Sequence, residues 1–282
     1  MMKKLTVLLA MSALISAAPA KLTPRPPIYG IPAKTLPKKR LIIRGYFIYP
    51  DFAFRYNPST DKMEKLPEGT ELKAEIFVLK LRYGITNRIT AIANFPIISK
   101  SFTTANFTKS SNGLGDCVGA LLFKVHHNKK QRFLTSFLLW SKFPTARTNN
   151  LSPQELPLGT GSYDYGFAVL PEKELGKWDL RWSIFYKVKG KDYQGENLPD
   201  EISVSWSGAY NLSYRTIPEV SLVYNRTLNS SGPSYYYLKA VAGVQFRLKR
   251  TFLLQTVFLK NITAKLPFAD NYAIWLGFFK LI

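Results

Sequence analysis

The sequence predicts an all-β protein, a transmembrane, antiparallel, up-and-down β-barrel of twelve strands. Three observations lead to this prediction. Apolar and polar residues alternate with period two along many segments, as in strands that have one apolar and one wet face. These segments run for about 11–14 residues, longer than ordinary strands of soluble sheets and long enough to cross a bilayer obliquely. The connections between them alternate between short and long, as they do in outer-membrane barrels.

The first twenty residues have the pattern of a secretory signal peptide. Lys3 and Lys4 precede an apolar stretch, and small residues end it at Ala18-Pro19-Ala20. That stretch is too short to span a bilayer, so we expect residues 1–20 to be removed on export. Residues 21–39 contain five prolines and cannot form a helix or a central strand, so they are predicted to be an N-terminal arm. The barrel is predicted to occupy residues 40–282.

Alternation is clearest in the second half of the chain. In the segment 178–188, Trp178, Trp182 and the other even-numbered residues are apolar or aromatic, whereas Arg181 and Lys187 fall on the opposite face. The segments 201–214 and 235–248 repeat this pattern. The strands are predicted near residues 41–53, 71–83, 88–100, 114–125, 132–144, 161–170, 177–189, 201–214, 218–228, 235–248, 251–260 and 270–281. An even number of strands suits a single-chain bacterial barrel, and closure leaves no unpaired edge in lipid.

A Gly-Thr-Gly element at residues 159–161 raises the question of a phosphate-binding loop. A dinucleotide fingerprint needs a strand before it and a helix after it. Here a long loop precedes the glycines and a strand pattern follows them, beginning with Tyr163 and Tyr165. We therefore interpret the glycines as a turn into a strand, and the tyrosines as members of an aromatic girdle.

The same element resembles a known family. The stretch LGTGSYDYGF at residues 158–167 is similar to a signature of exported barrels in the meta-pathway of phenol degradation family (Phenol MetA deg). GLGD at 113–116, LKLRYGITNRI at 79–89 and Pro144 at a strand end also match. The motif residues are Gly113, Gly115, Asp116, Gly159, Gly161, Ser162, Asp164, Tyr165 and Gly166. The resemblance implies an outer-membrane barrel with a channel or transport role for small compounds, often hydrophobic or aromatic.

The charge balance points to a basic lumen. The chain has 39 basic and 18 acidic residues, a formal net charge of +21, which favours anionic partners. If the tryptophans face lipid, charged residues of the same strands point inward. The pore-lining candidates are Lys80, Arg82, Asp116, Asp164, Asp179, Arg181, Lys187, Lys239 and Arg247. A preference for anions or electron-rich aromatics follows if these charges are free; if they pair across the barrel, they close it instead.

Three function classes remain open. The first is an outer-membrane channel or transporter for small solutes, the second a closed structural or interaction barrel, and the third a lipid-modifying barrel enzyme. The enzyme class needs a nucleophile with a base beside it. The histidines, His126 and His127, lie together in a lysine-rich segment predicted as a turn, and Cys117 lies in a predicted strand. We therefore predict no catalytic residues, no metal ligands, no cofactor and no enzymatic activity.

The predicted partners follow from the predicted location in the outer membrane. They are outer-membrane lipid, a small-molecule solute and the barrel-assembly machinery. Nucleic acid is not expected, because no motif of an aromatic base-reading platform is present.

Overall fold

The protein is a closed antiparallel β-barrel, seen in a computed structural model that describes residues 30–228, 234–249 and 251–282. The predicted signal peptide lies outside these residues. Within them the strands are β1 (Leu41–Asn57), β2 (Lys62–Lys65), β3 (Glu71–Gly84), β4 (Ile89–Thr103), β5 (Thr108–Leu114), β6 (Cys117–Asn128), β7 (Phe133–Phe143), β8 (Asp164–Leu175), β9 (Trp178–Val188), β10 (Asp200–Tyr210), β11 (Thr216–Leu228), β12 (Tyr236–Lys249), β13 (Phe252–Lys265) and β14 (Phe268–Leu281).

Each barrel strand pairs with its neighbours in sequence, and β14 pairs with β1 to close the sheet. The short strands β2 and β5 extend the β1–β3 and β4–β6 connections, pairing with β1 and β4. The remaining twelve strands form the barrel, which confirms the predicted fold and strand number. No helix among the described residues has the length and apolarity needed to cross a bilayer.

The outer surface is apolar. The exposed apolar residues include Val169 on β8, Leu222 on β11, Leu254 and Phe258 on β13, and Ile274 on β14. In a soluble sheet, burial of such side chains would stabilise the fold. An apolar surface of this extent is expected where the solvent is lipid. Exposed aromatic residues lie near both rims: Tyr163 and Tyr165 at the long-loop end, Tyr83, Trp178 and Tyr214 at the short-turn end. They have the positions of two interfacial girdles.

The predicted alternation of inward-facing and outward-facing residues is present along β9, β10 and β12. On β12, Val241, Gln245 and Arg247 are buried inside, while the intervening Ala242 and Phe246 are exposed. The alternation holds because successive side chains of a pleated strand point to opposite faces, and closure makes one face the interior.

Several predicted boundaries were wrong. The strand predicted at 201–214 ends at Tyr210, so Leu212 lies in a turn. The predicted strand at 114–125 begins instead at Cys117, after a break that separates it from β5. The histidine pair, predicted in a turn, lies at the end of β6. The connection between the strands predicted at 251–260 and 270–281 is a tight turn, because β13 extends to Lys265 and β14 starts at Phe268.

Candidate functional site: the lumen and its two ends

Within the described part of the predicted arm, residues 31–36 lie inside the barrel at its short-turn end. Ala33 and Leu36 are buried, and Ile31 is partly buried against the same interior. Ala33 belongs to an apolar cluster on the inner faces of β4, β6, β7 and β8. Leu36 packs on the other side, against β1, β13 and β14. The proline-rich composition predicted a segment outside any strand, and the structure shows that residues 31–36 of this segment pack against the inner wall.

The barrel wall satisfies the arm's backbone groups. The Oγ of Ser136 donates to the carbonyl of Ala33 at 2.5 Å. The amide of Leu36 donates to the Oγ1 of Thr90 at 2.7 Å, and Nη2 of Arg82 donates to the carbonyl of Lys34 at 2.9 Å. Because proline-rich segments cannot pair with a strand, such side-chain partners are needed wherever the backbone is buried. The arm is therefore docked at a defined position.

Lys34 joins the arm to an acidic cluster on the wall. Its Nζ lies 2.9 Å from Glu172 and 2.5 Å from Glu174 on β8. Burial alone would lower the pKa of Lys34, but the carboxylates of Glu172 and Glu174 outweigh it and hold the pKa above its ordinary value. Glu172, Glu174 and Asp179 place oxygens within 4.8 Å of one another, as a metal site would. The Lys34 ammonium already occupies this cluster as its cation.

Arg181 on β9 joins the acidic cluster to Glu219 on β11. Its guanidinium lies 3.0 Å from Glu219 on β11, 3.6 Å from Asp179 and 4.0 Å from Glu172. The predicted candidates Asp179 and Arg181 therefore lie together inside, buried with two glutamates that the sequence interpretation had missed. Glu172 lay beyond the predicted end of its strand, and Glu219 had not been assigned to a face.

The predicted candidates Lys80 and Arg82 lie on the opposite wall. Both are inner-face residues of β3, and Arg44 on β1 is the register partner of Lys80. Arg82 and Arg44 interact electrostatically with Glu172 and Glu219, respectively. The cross-section thus has a basic side on β1 and β3 and a side on β8, β9 and β11 that is rich in carboxylates.

Three further candidates have close partners. Lys187 lies 3.1 Å from Glu201 on β10. Lys239 lies 3.0 Å from Asp270 on β14. The guanidinium of Arg247 lies 4.4 Å from the ring centroid of Tyr214. The sequence does not show which residues lie next to these charges, so it left open whether they are paired. In the structure, Lys187 and Lys239 are each paired with a carboxylate.

The last two candidates, Asp116 and Asp164, meet at the long-loop end around Lys142 on β7. The Lys142 Nζ lies 2.8 Å from Asp164 and 3.4 Å from Asp116, and donates to the Oγ of Ser162 at 2.9 Å. Asp116 also accepts from the amide of Thr160 at 3.0 Å, which ties the long loop 144–163 to the wall. We call Asp116, Lys142, Ser162 and Asp164 the rim latch.

The glycine motifs are explained by this rim latch. Gly161 has φ +73°, and a Cβ there would lie 2.8 Å from the Cβ of Tyr193. A Cβ on Gly159 would collide with the Asp116 carboxylate. Gly190, which begins the next long loop, donates its amide to Asp164 at 3.2 Å. The two motifs therefore converge to fix two long loops. The sequence interpretation did not identify Lys142 as a site residue, because no motif in its own strand distinguishes it from other lysines.

A sequence profile of the family described as "Putative MetA-pathway of phenol degradation" matches residues 57–276. The chain belongs to this family. The match runs from the end of β1 into β14 and so includes the rim latch and almost the whole barrel. The predicted family is confirmed. No curated protein sequence matches the chain.

Solved structures with the same fold are outer-membrane proteins. An outer membrane channel from Pseudomonas putida F1 is similar with a TM-score of 0.74 and 14% identity, over 89% of this chain and 98% of that chain. The NanC porin gives 0.51 and 12%, over 84% and 98%. The beta domain of the Bordetella autotransporter BrkA gives 0.53 and 8%, over 87% and 100%. This family member is thus an outer-membrane β-barrel, and its activity has to be argued from its own residues.

Proposed function

We propose that the protein is a narrow outer-membrane channel for small solutes, with the arm as an internal plug at its short-turn end. The observation that carries this proposal is the docked arm. Residues 31–36 are held inside by buried apolar contacts, a lysine–carboxylate pair and side-chain hydrogen bonds, and all of these can break without breaking a strand pairing. The names of the channel and the porin among the similar structures agree with this proposal.

A charged inner wall supports conduction of polar solutes. Basic and carboxylate-rich sides face each other across the lumen, so a polar solute exchanges water for fixed charges and dipoles. The predicted pore-lining role of Lys80, Arg82, Asp179 and Arg181 is part of this proposal. Asp116 and Asp164, as members of the rim latch, act by holding the loops that shape the outer mouth.

A closed structural barrel is the second candidate. Lys187, Lys239 and Arg181 each lie within 4.0 Å of a carboxylate, and ion pairs of this kind can fill a small barrel. The candidate differs from a channel in one measurable respect, because a barrel closed by its wall stays closed after the arm is removed.

A catalytic role has less support. His126 and His127 are exposed at the end of β6, and the described contact of His126 is with the ring of Phe133. Cys117 is partly buried, and its backbone N–H donates to the Oγ1 of Thr145 at 2.8 Å. We therefore propose a non-enzymatic protein. Insertion by the barrel-assembly machinery, and outer-membrane lipid as the surrounding partner, are parts of the same proposal.

Planar-bilayer recordings of the refolded mature chain test the channel. We expect small conductance steps from the wild type and larger steps from a variant that lacks residues 21–37. A matched control deletes residues 148–153 in the long loop, which leaves the arm in place. Absence of conductance in the wild type and in the arm deletion, with heat-modifiable gel mobility retained by both, would contradict the channel and favour the closed barrel.

A further inference from the structure

An open groove lies on the outer surface of the barrel at its long-loop end. It has a volume of about 430 Å³ and crosses β11, β12 and β13. Tyr224 and Tyr236 line it, and they alternate along their strands with Val223 and Tyr237, which lie in or against an inner apolar cluster. A bulge on β13 brings Lys265 to the same outward face. The groove therefore faces the membrane and not the lumen.

Two basic residues and a tyrosine form one row across the groove. Arg226 on β11 and Lys265 on β13 are both register partners of Tyr236 on β12. Because neighbouring strands are ~4.8 Å apart, the two basic side chains start about 10 Å apart, and both are long enough to reach one small anion between them. The next row toward the middle of the wall consists of Tyr224, Leu238 and Thr263. The groove thus places two cations above an aromatic and aliphatic floor.

Both cations have donors left for an anion. Arg226 is exposed, and its Nε donates to the Oγ of Ser234 at 3.4 Å. Among the described residues its guanidinium has no carboxylate within 4.0 Å. The Nζ of Lys265 lies 2.6 Å from Asp61, whose side chain is 72% exposed, and 4.8 Å from the ring centroid of Tyr56. An exposed ion pair contributes little and an ammonium has three donors, so Asp61 leaves Lys265 able to bind a second anion.

The outer wall below the groove is apolar. Val220, Ala242 and Phe258 are register partners across the same three strands, and all three are exposed. Lys260 faces outward between this row and the groove, and its stem is long enough for the ammonium to reach the headgroup level. The longer loops of an outer-membrane barrel are extracellular. The groove therefore lies at the level of the outer-leaflet headgroups, and the apolar row lies at the level of the acyl chains.

We propose that the groove binds the phosphate of a phosphorylated lipid in the outer leaflet. The phosphate accepts from Arg226 and Lys265, and the acyl chains lie along the apolar wall of β11, β12 and β13. Guanidinium and ammonium groups form short charge-assisted hydrogen bonds with phosphate oxygens, and basic residues at a membrane surface attract anionic lipids. A soluble anion would use the two cations but not the apolar wall, so a lipid fits both parts of this surface. The site lies outside the barrel and does not depend on whether the lumen conducts.

Native mass spectrometry of the detergent-purified mature protein tests the site, with bisphosphorylated lipid A, lipid A without its phosphates and inorganic phosphate as probes. We expect the phosphorylated lipid to bind most tightly. Arg226→Gln and Lys265→Gln should each weaken its binding about fivefold, and the double variant about 25-fold, because each substitution removes one cation at the membrane surface. The weaker binding of dephosphorylated lipid A should be the same in wild type and variants.

The matched controls remove basic residues near the opposite end of the barrel. Arg215→Gln changes an exposed arginine in the turn before β11, and Lys173→Gln changes a lysine on the outer face of β8. Both should leave binding of the phosphorylated lipid unchanged, and retained heat-modifiable mobility shows that each variant is folded.

Three results would overturn the site. Equal binding of the two lipids by folded wild type would mean that the apolar wall alone binds them. Inorganic phosphate bound as tightly as the phosphorylated lipid would show that the groove takes a soluble anion. Binding of the phosphorylated lipid by Arg226→Gln as tightly as by Arg215→Gln would show that the lipid lies elsewhere on the barrel.

Discussion

Truncating Leu36 to alanine should release the arm without unfolding the barrel. The Leu36 side chain is 0% exposed and packs with Ile42, Leu253, Phe279 and Leu281. A buried Leu→Ala change costs about 2–5 kcal/mol, depending on how far the cavity collapses. Because the four neighbours belong to the wall and only Leu36 belongs to the arm, this cost falls mainly on arm docking. The strand hydrogen bonds that close the barrel are untouched.

The expected effect follows from that energy. Since 1.4 kcal/mol corresponds to a factor of ten, the ratio of undocked to docked arm should rise between about 30-fold and a few thousand-fold. A thiol placed in the arm reports this ratio directly. Ala33→Cys, which replaces a residue 2% exposed, can be labelled with a water-soluble thiol reagent in a Cys117→Ser background. The labelling rate should rise by the same factor when Leu36→Ala is added.

The control for this experiment is Leu254→Ala, the neighbouring leucine on β13 that faces outward. It removes the same atoms from the lipid-facing surface and should leave the labelling rate unchanged. If Leu36→Ala labels no faster than Leu254→Ala while both proteins keep their heat-modifiable mobility, the arm is not docked by this contact and the plug reasoning fails.

Two further predictions concern the wall and the rim latch. Ala242→Arg, on the outer face of β12 near mid-strand, should lower the free energy of unfolding in lipid vesicles by about 2–4 kcal/mol, whereas Ser205→Arg, on the inner face of β10, should cost less. Lys142→Met should lower the free energy of unfolding by about 3–5 kcal/mol, because it leaves the Asp116 and Asp164 carboxylates buried without their cation; urea titration of refolded protein measures both effects.

The controls for these variants separate position from chemistry. Equal costs at positions 242 and 205 would argue against a lipid-facing exterior. For the rim latch, Lys173→Met removes a lysine from the outer face of β8, and a loss of stability as large as that of Lys142→Met would show that the latch geometry is not the cause.

The strand pattern could be predicted in detail because it is local. Successive residues of a strand face opposite sides, so the inward positions of Arg181, Lys239 and Arg247 follow from the alternation of their own segments. Strand ends were less certain. The segment after Tyr210 continues the apolar alternation into a turn, and only pairing with the neighbouring strand determines where a strand ends.

The sequence by itself determined the barrel, its twelve strands and the faces of those strands, since each depends on residues within one segment or on the rhythm of connections. The tertiary structure alone decided which charges meet. Asp116 precedes β6, Lys142 lies on β7 and Asp164 begins β8, and the three converge through register, as do Arg181 on β9 and Glu219 on β11. The tertiary structure also decided that the described part of the arm turns inward. This position requires a closed wall whose inner face offers apolar surface and hydrogen-bonding groups to the proline-rich segment. Register and closure are collective properties of the whole sheet, and no single segment encodes them.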